Sequence, residues 1–103
     1  MIIERMTFQA KYGQGDALVS LFREFNRTHA KKHGLSTAKI YTDFTGEMFT
    51  VIVDTAFKDL ADMAAEQAKN EALYGDPAFQ KWFARMEPLI RSGSRQLISS
   101  VRA

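Results

Sequence analysis

The chain opens on a period of two. Ile2, Met6, Phe8 and Ala10 fall on one side, and Ile3, Arg5, Thr7, Gln9 and Lys11 on the other, as in a strand with one apolar face. Gly13-Gln14-Gly15 breaks the alternation, and Asp16 is the expected N-cap of a helix. Leu18, Leu21, Phe22 and Phe25 then recur at three- and four-residue steps. They predict an amphipathic helix over residues 17–33, closed by a left-handed Gly34. Alternation returns over residues 37–44, with Ala38, Ile40 and Phe44 opposed to Lys39, Tyr41 and Asp43. After the turn Thr45-Gly46-Glu47 a third strand is expected over residues 48–57, pairing with the second as a hairpin. This third strand is apolar on both sides: Phe49, Val51 and Val53 face one way, Met48 and Ile52 the other. A strand of that kind is covered on both faces.

Asp59 can cap a helix through Leu60, Met63, Ala64 and Ala68, which Gly75 interrupts. Asp76-Pro77 restarts it, with an acceptor at the cap and proline at the first helical position. Phe79, Trp82, Phe83 and Met86 give this piece an aromatic stripe. Pro88 and Gly93 are expected to end it before a fourth strand over residues 95–101. Strand, helix, strand, strand, helix, strand makes two split βαβ units. The fold class is α+β: a ferredoxin-like βαββαβ domain over residues 1–103, with a four-stranded antiparallel sheet and its helices on one face. The uncovered face would then carry Met48 and Ile52, and the sheet would keep a free edge. A second copy stacked face to face hides both, so a homodimer closing a dimeric α/β barrel is expected.

Composition narrows the classes. The chain has no cysteine, which removes disulfides, thiolate metal sites and cysteine nucleophiles and suits a reducing compartment. No apolar stretch is long enough to span a bilayer, and the first residues lack the basic head and apolar run of a secretory signal, so a cytoplasmic location is expected. The net charge of +2 conceals three blocks: +4 over residues 1–42 (seven Lys/Arg, three Asp/Glu), −6 over 43–76 (two, eight) and +4 over 77–103 (five, one). Basic ends around an acidic middle favour contacts between copies over a polyanion. Arg23, Arg27, Lys31 and Lys32 read as a solvated helix face near a C-terminus rather than a nucleic-acid surface.

Phe8-Gln-Ala-Lys-Tyr-Gly13, the hairpin Tyr41-Thr-Asp-Phe-Thr-Gly46, and Asp76-Pro-Ala-Phe-Gln-Lys-Trp82 through Ser92-Gly93-Ser94-Arg95 resemble the NIPSNAP-like branch of the dimeric α/β-barrel superfamily. The resemblance covers nearly the whole chain. It implies a ferredoxin-like protomer and a two-sheet barrel dimer. It leaves the chemistry open, because the same fold is similar to cofactor-free monooxygenases, haem-degrading enzymes, haem peroxidases and small isomerases, and to members without known activity.

Candidate chemistry gathers at two places. His29 and His33 are an i, i+4 pair, with His29 on the continuation of the Leu18–Phe22–Phe25 stripe. His29 is the candidate catalytic base or haem ligand; two histidines near a helix C-terminus are the plainer alternative. Phe25, Trp82, Phe79 and Phe83 can line an apolar ligand pocket, with His29, His33, Tyr41 and Arg85 as polar contacts and Tyr74 at its mouth; an aromatic stripe is equally the core of a small domain. Arg5, Thr7, Gln9, Lys39, Tyr41 and Asp43 share the less apolar strand faces, as a polar barrel interior or as charges that set register. Arg95 can bind an anion or pair with an acid of the middle segment. Phosphate loops, dinucleotide glycine patterns and serine elbows are absent from the sequence. The expected function is binding of a small hydrophobic or aromatic molecule between helices and sheet. A cofactor-free or haem-dependent monooxygenase is the alternative, and a non-catalytic dimeric interaction module the third reading.

Overall fold

Period-two alternation in four places builds one sheet. The computed structural model describes residues 1–101. It contains β1 (Ile2–Ala10), α1 (Gly15–Glu24), a π-helical stretch (Phe25–Ala30), α2 (Lys31–His33), β2 (Lys39–Thr42), β3 (Thr50–Phe57), α3 (Leu60–Gln67), α4 (Asn70–Tyr74), α5 (Pro77–Met86), a 3-10 turn (Glu87–Leu89) and β4 (Ile90–Ser99). The strands lie in the order β2-β3-β1-β4, every neighbouring pair antiparallel. This is the ferredoxin-like arrangement expected from the element order.

Register follows the apolar pattern. Met6 pairs with Val53 and Phe8 with Val51, so the apolar faces of β1 and β3 coincide. Leu18, Leu21 and Phe22 of α1 and Phe79, Trp82 and Met86 of α5 pack on that face in a single core. Leu18 and Val51 are 0% exposed. The opposite face carries Ile3, Arg5, Thr7 and Gln9 of β1, Ile52 and Asp54 of β3, and Lys39 and Tyr41 of β2. Arg5 donates to both carboxylate oxygens of Asp54 across the strands, Nε at 3.0 Å and Nη2 at 2.9 Å. That charged fork fixes register and raises the pKa of Arg5, through the hydrogen bond first and the neighbouring charge second.

Several expectations shift. The helix begins at Gly15, with Gln14 at the cap and Asp16 inside the first turn. The hairpin strands are shorter than expected, because Met48 and Phe49 lie in the connecting turn, with Phe49 at φ +62°. Gln9 reaches that turn through its amide, donating to the Met48 carbonyl. The fourth strand starts at Ile90, and Gly93 sits inside it rather than at a junction. Its absent side chain makes room for a neighbour: a Cβ there would lie 3.2 Å from Phe8 Cδ1 on the adjacent strand. Asp59 and Asp76 cap as expected, accepting from the Asp62 and Ala78 amides, and Gly34 takes the left-handed cap at φ +66°. Among the described residues, no helix is long and apolar enough to cross a membrane.

Candidate functional site

The helices do not close completely on the sheet. Between them lies a cavity of about 410 Å³. Its sheet wall is Met6, Phe8 and Val53, with Glu4 and Thr55 one pair further along. Its helical walls are Phe22 and Phe25 on one side, and Phe79, Trp82, Phe83 and Met86 on the other. The aromatic rings touch in series: Phe25–Trp82 at 5.2 Å between centroids, Phe22–Trp82 at 5.7 Å and Phe79–Trp82 at 5.6 Å. The Trp82 indole is anchored by donating from Nε1 to the Leu21 carbonyl at 2.7 Å, which ties α5 to α1. A small molecule there would meet ring faces and edges already held in place. A second hollow of about 480 Å³, between α1 and β2, has no aromatic side chain in its wall.

One end of the cavity is polar. Glu4, Thr55, Glu66, Asn70 and Arg95 line it, and Tyr74 stands at the rim, 59% exposed. Arg95 Nε is 3.9 Å from Glu4 Oε2, a loose contact. The expected partner of Arg95 was an acid of the middle segment; register supplies Glu4 instead, one pair away on β1. Glu66 accepts from both the amide and the hydroxyl of Ser36, at 2.7 Å and 2.6 Å, and so pins the loop before β2 to α3. Asn26 does the same on the α1 side, exchanging two hydrogen bonds with the Ala38 backbone.

The candidate residues separate. Phe25 and Trp82 line the cavity as expected, with Phe79, Phe83 and Tyr74. His29 does not line it. Its ring is 4% exposed, touches Phe25, Phe79 and Trp82, and leaves Nδ1 without a hydrogen-bond partner. The rings it touches form the cavity wall. His33 does not line it either: its Nε2 lies 2.9 Å from Asp76, which Lys32 also reaches at 2.8 Å. Asp76 is held well below its ordinary pKa by the hydrogen bonds from Lys32, His33 and the Ala78 amide, in that order. Tyr41 lies on the opposite face of the sheet, and Arg85 lies outside the helices, paired with Glu24 at 2.9 Å. Neither reaches the cavity.

The residues present do not fit a haem ligated by this pair, since one ring is behind the wall and the other is taken by Asp76. Among the described residues no three His, Cys, Asp or Glu side chains converge as a metal site. Glu4 and Thr55 were missed by sequence reasoning although the signal was there. Glu4 shares the parity of Ile2, Met6 and Phe8, an acid on a core-facing position. Within the chain, Arg5–Asp54, Lys32–Asp76 and Arg91–Glu47 each join a basic end to the acidic middle.

No family model matches the sequence, and no curated protein does. Solved structures do match. A NIPSNAP domain protein from Burkholderia xenovorans superposes at a TM-score of 0.75 with 18% identity, over 98% of this chain and 95% of that one. A NIPSNAP family protein of unknown function from Agrobacterium tumefaciens reaches 0.79 at 20% identity, over 99% and 89%. A putative antibiotic biosynthesis monooxygenase from Deinococcus radiodurans gives 0.64 at 12%, over 100% and 95%. At these identities the likeness is one of fold, and the resemblance to the NIPSNAP-like branch holds at that level.

Proposed function

We propose that this protein binds a small hydrophobic or aromatic molecule in the cavity between its helices and sheet, and that it does so as a homodimer in the cytoplasm. The observation that carries the binding reading is the 410 Å³ cavity with six phenylalanines and the one tryptophan in its wall. Folding normally closes such a space, because unfilled volume forfeits dispersion contacts. Keeping rigid rings around it is what an apolar ligand needs. A panel of aromatic metabolites, flavins, haem and zinc should contain a compound that raises the melting temperature. A ligand at one hundred times its dissociation constant adds about 2.7 kcal/mol. A panel with no shift would count against the site.

The dimer reading rests on the uncovered sheet face. Ile3, Ile52 and Ile98 are half-buried there and Tyr41 is 47% exposed, around the Arg5–Asp54 pair. β4 adds a ten-residue edge with a partner on one side only. Sedimentation at micromolar concentration should give twice the 11.7 kDa chain mass; a folded monomer would overturn this half of the proposal.

A monooxygenase-type enzyme is the second reading, favoured by the orphaned Nδ1 of His29. That base stands one ring behind the cavity, so it acts on a bound molecule only when Phe25 or Phe79 swings aside. Dioxygen uptake with a ligand found by the melting screen, lost in His29→Phe, would support it; uptake unchanged in that variant would remove His29 from the chemistry. As a bare interaction module the chain has less in its favour, since three acids of the middle block, Glu47, Asp54 and Asp76, are already paired within the chain.

A further inference from the structure

The polar end of the cavity says which small molecules suit it. Glu4 is the deeper of its two carboxylates: its side chain is 18% exposed, and among the described residues its one charged neighbour is Arg95, at 3.9 Å. Arg95 itself is 69% exposed, so its guanidinium stays largely in water and neutralises Glu4 weakly. The second carboxylate, Glu66, is half-buried on α3 and among the described residues pairs with no cation; its hydrogen bonds come from Ser36. The lining therefore holds two acids against one solvated base, beside a bed of aromatic faces. A carboxylate in partly apolar surroundings gains most from a partner that brings positive charge to it. Ring faces attract the same partner, because their quadrupole is negative where an ammonium would rest.

We propose that the ligand of this cavity is an organic cation: a small ammonium compound with an apolar or aromatic body. Its body lies against Phe25, Phe79 and Trp82, and its charged head lies toward Glu4 and Glu66. An anionic molecule of the same size meets two carboxylates, and a neutral one leaves Glu4 with the loose Arg95 contact alone. This inference rests on the cavity being a ligand site, and adds the sign of the charge that it selects.

Isothermal titration with benzyltrimethylammonium, benzyl alcohol and phenylacetate tests it on the intact protein. The cation should bind at least about tenfold more tightly than either of the others, a difference of about 1.4 kcal/mol. Glu4→Gln, which keeps the side chain's size, should erase most of that preference. Glu66→Gln supplies the same comparison from the other wall should Glu4→Gln fail to fold. Tighter binding of the alcohol or of phenylacetate overturns the charge preference and leaves the cavity reading standing. A cation preference that survives both substitutions also overturns it, because the carboxylates would not be its source. Absence of heat with all three compounds removes the charge preference together with the cavity.

Discussion

Single residues set the shape of the cavity, and Gly93 shows how. Phe8 lies over it and stacks on Phe22 at 5.2 Å, closing one side of the wall. A valine at position 93 must push that ring out of place, and overpacking of this kind costs about 1–3 kcal/mol. Gly93→Val should lower urea stability by that amount; unchanged stability would mean that Phe8 has room to move. The sequence marks the glycine but not its job, because cross-strand pairing is invisible before register is known. Asp76 works at the same scale. Its folded pKa lies below the ordinary 3.8, so its contribution to stability is complete above that value and is lost as pH falls toward the folded one. Asp76→Asn should therefore be less stable than the parent at neutral pH, and the two acid-unfolding curves should converge at low pH. Parallel curves down to the lowest pH would contradict the ion-pair origin of the shift.

Elements were the most legible scale, because their ends obey local chemistry. Asp59, Asp76-Pro77 and Gly34 each act where side-chain hydrogen bonding or backbone freedom requires, and each requirement is met within a few residues of chain. Asp59→Ala removes the acceptor for the Asp62 amide and should cost about 1 kcal/mol. α3 buries none of its residues, so that loss should appear first as faster amide exchange in α3; slower or equal exchange would show that the cap is idle. Elements also held the clearest departure. An uninterrupted 3.6-residue period predicts an α-helix through Phe25 to His33, but residues Phe25–Ala30 wind as a π-helix. Phe25 and His29 of that stretch lie beside Trp82, and His33, beyond it, meets Asp76. Nothing in the local pattern distinguishes it.

For the whole molecule, topology could be read from the order of periods, and the site could be read only in part. Phe25 and Trp82 were found because aromatic stripes on two helices must face the same sheet. Tyr41 stays out of the cavity because its parity puts it on the outer face, and Arg85 because it lies on the outer side of its helix, whose occupants differ little in type from rim residues. The polar end needed three-dimensional information, as Glu4 and Glu66 are far apart in sequence and both line the cavity. The site itself is tested most directly through Trp82, the one tryptophan of the chain and a part of the cavity wall. N-phenyl-1-naphthylamine is neutral and apolar, and it accepts energy from tryptophan when bound close to it. Titrated into the protein, it should give saturable transfer from Trp82 with a single site per chain. Thr55→Phe, which fills the cavity from β3, should weaken that binding by at least about tenfold, or 1.4 kcal/mol. Transfer that never saturates, or that is the same in Thr55→Phe, would contradict a binding site between helices and sheet.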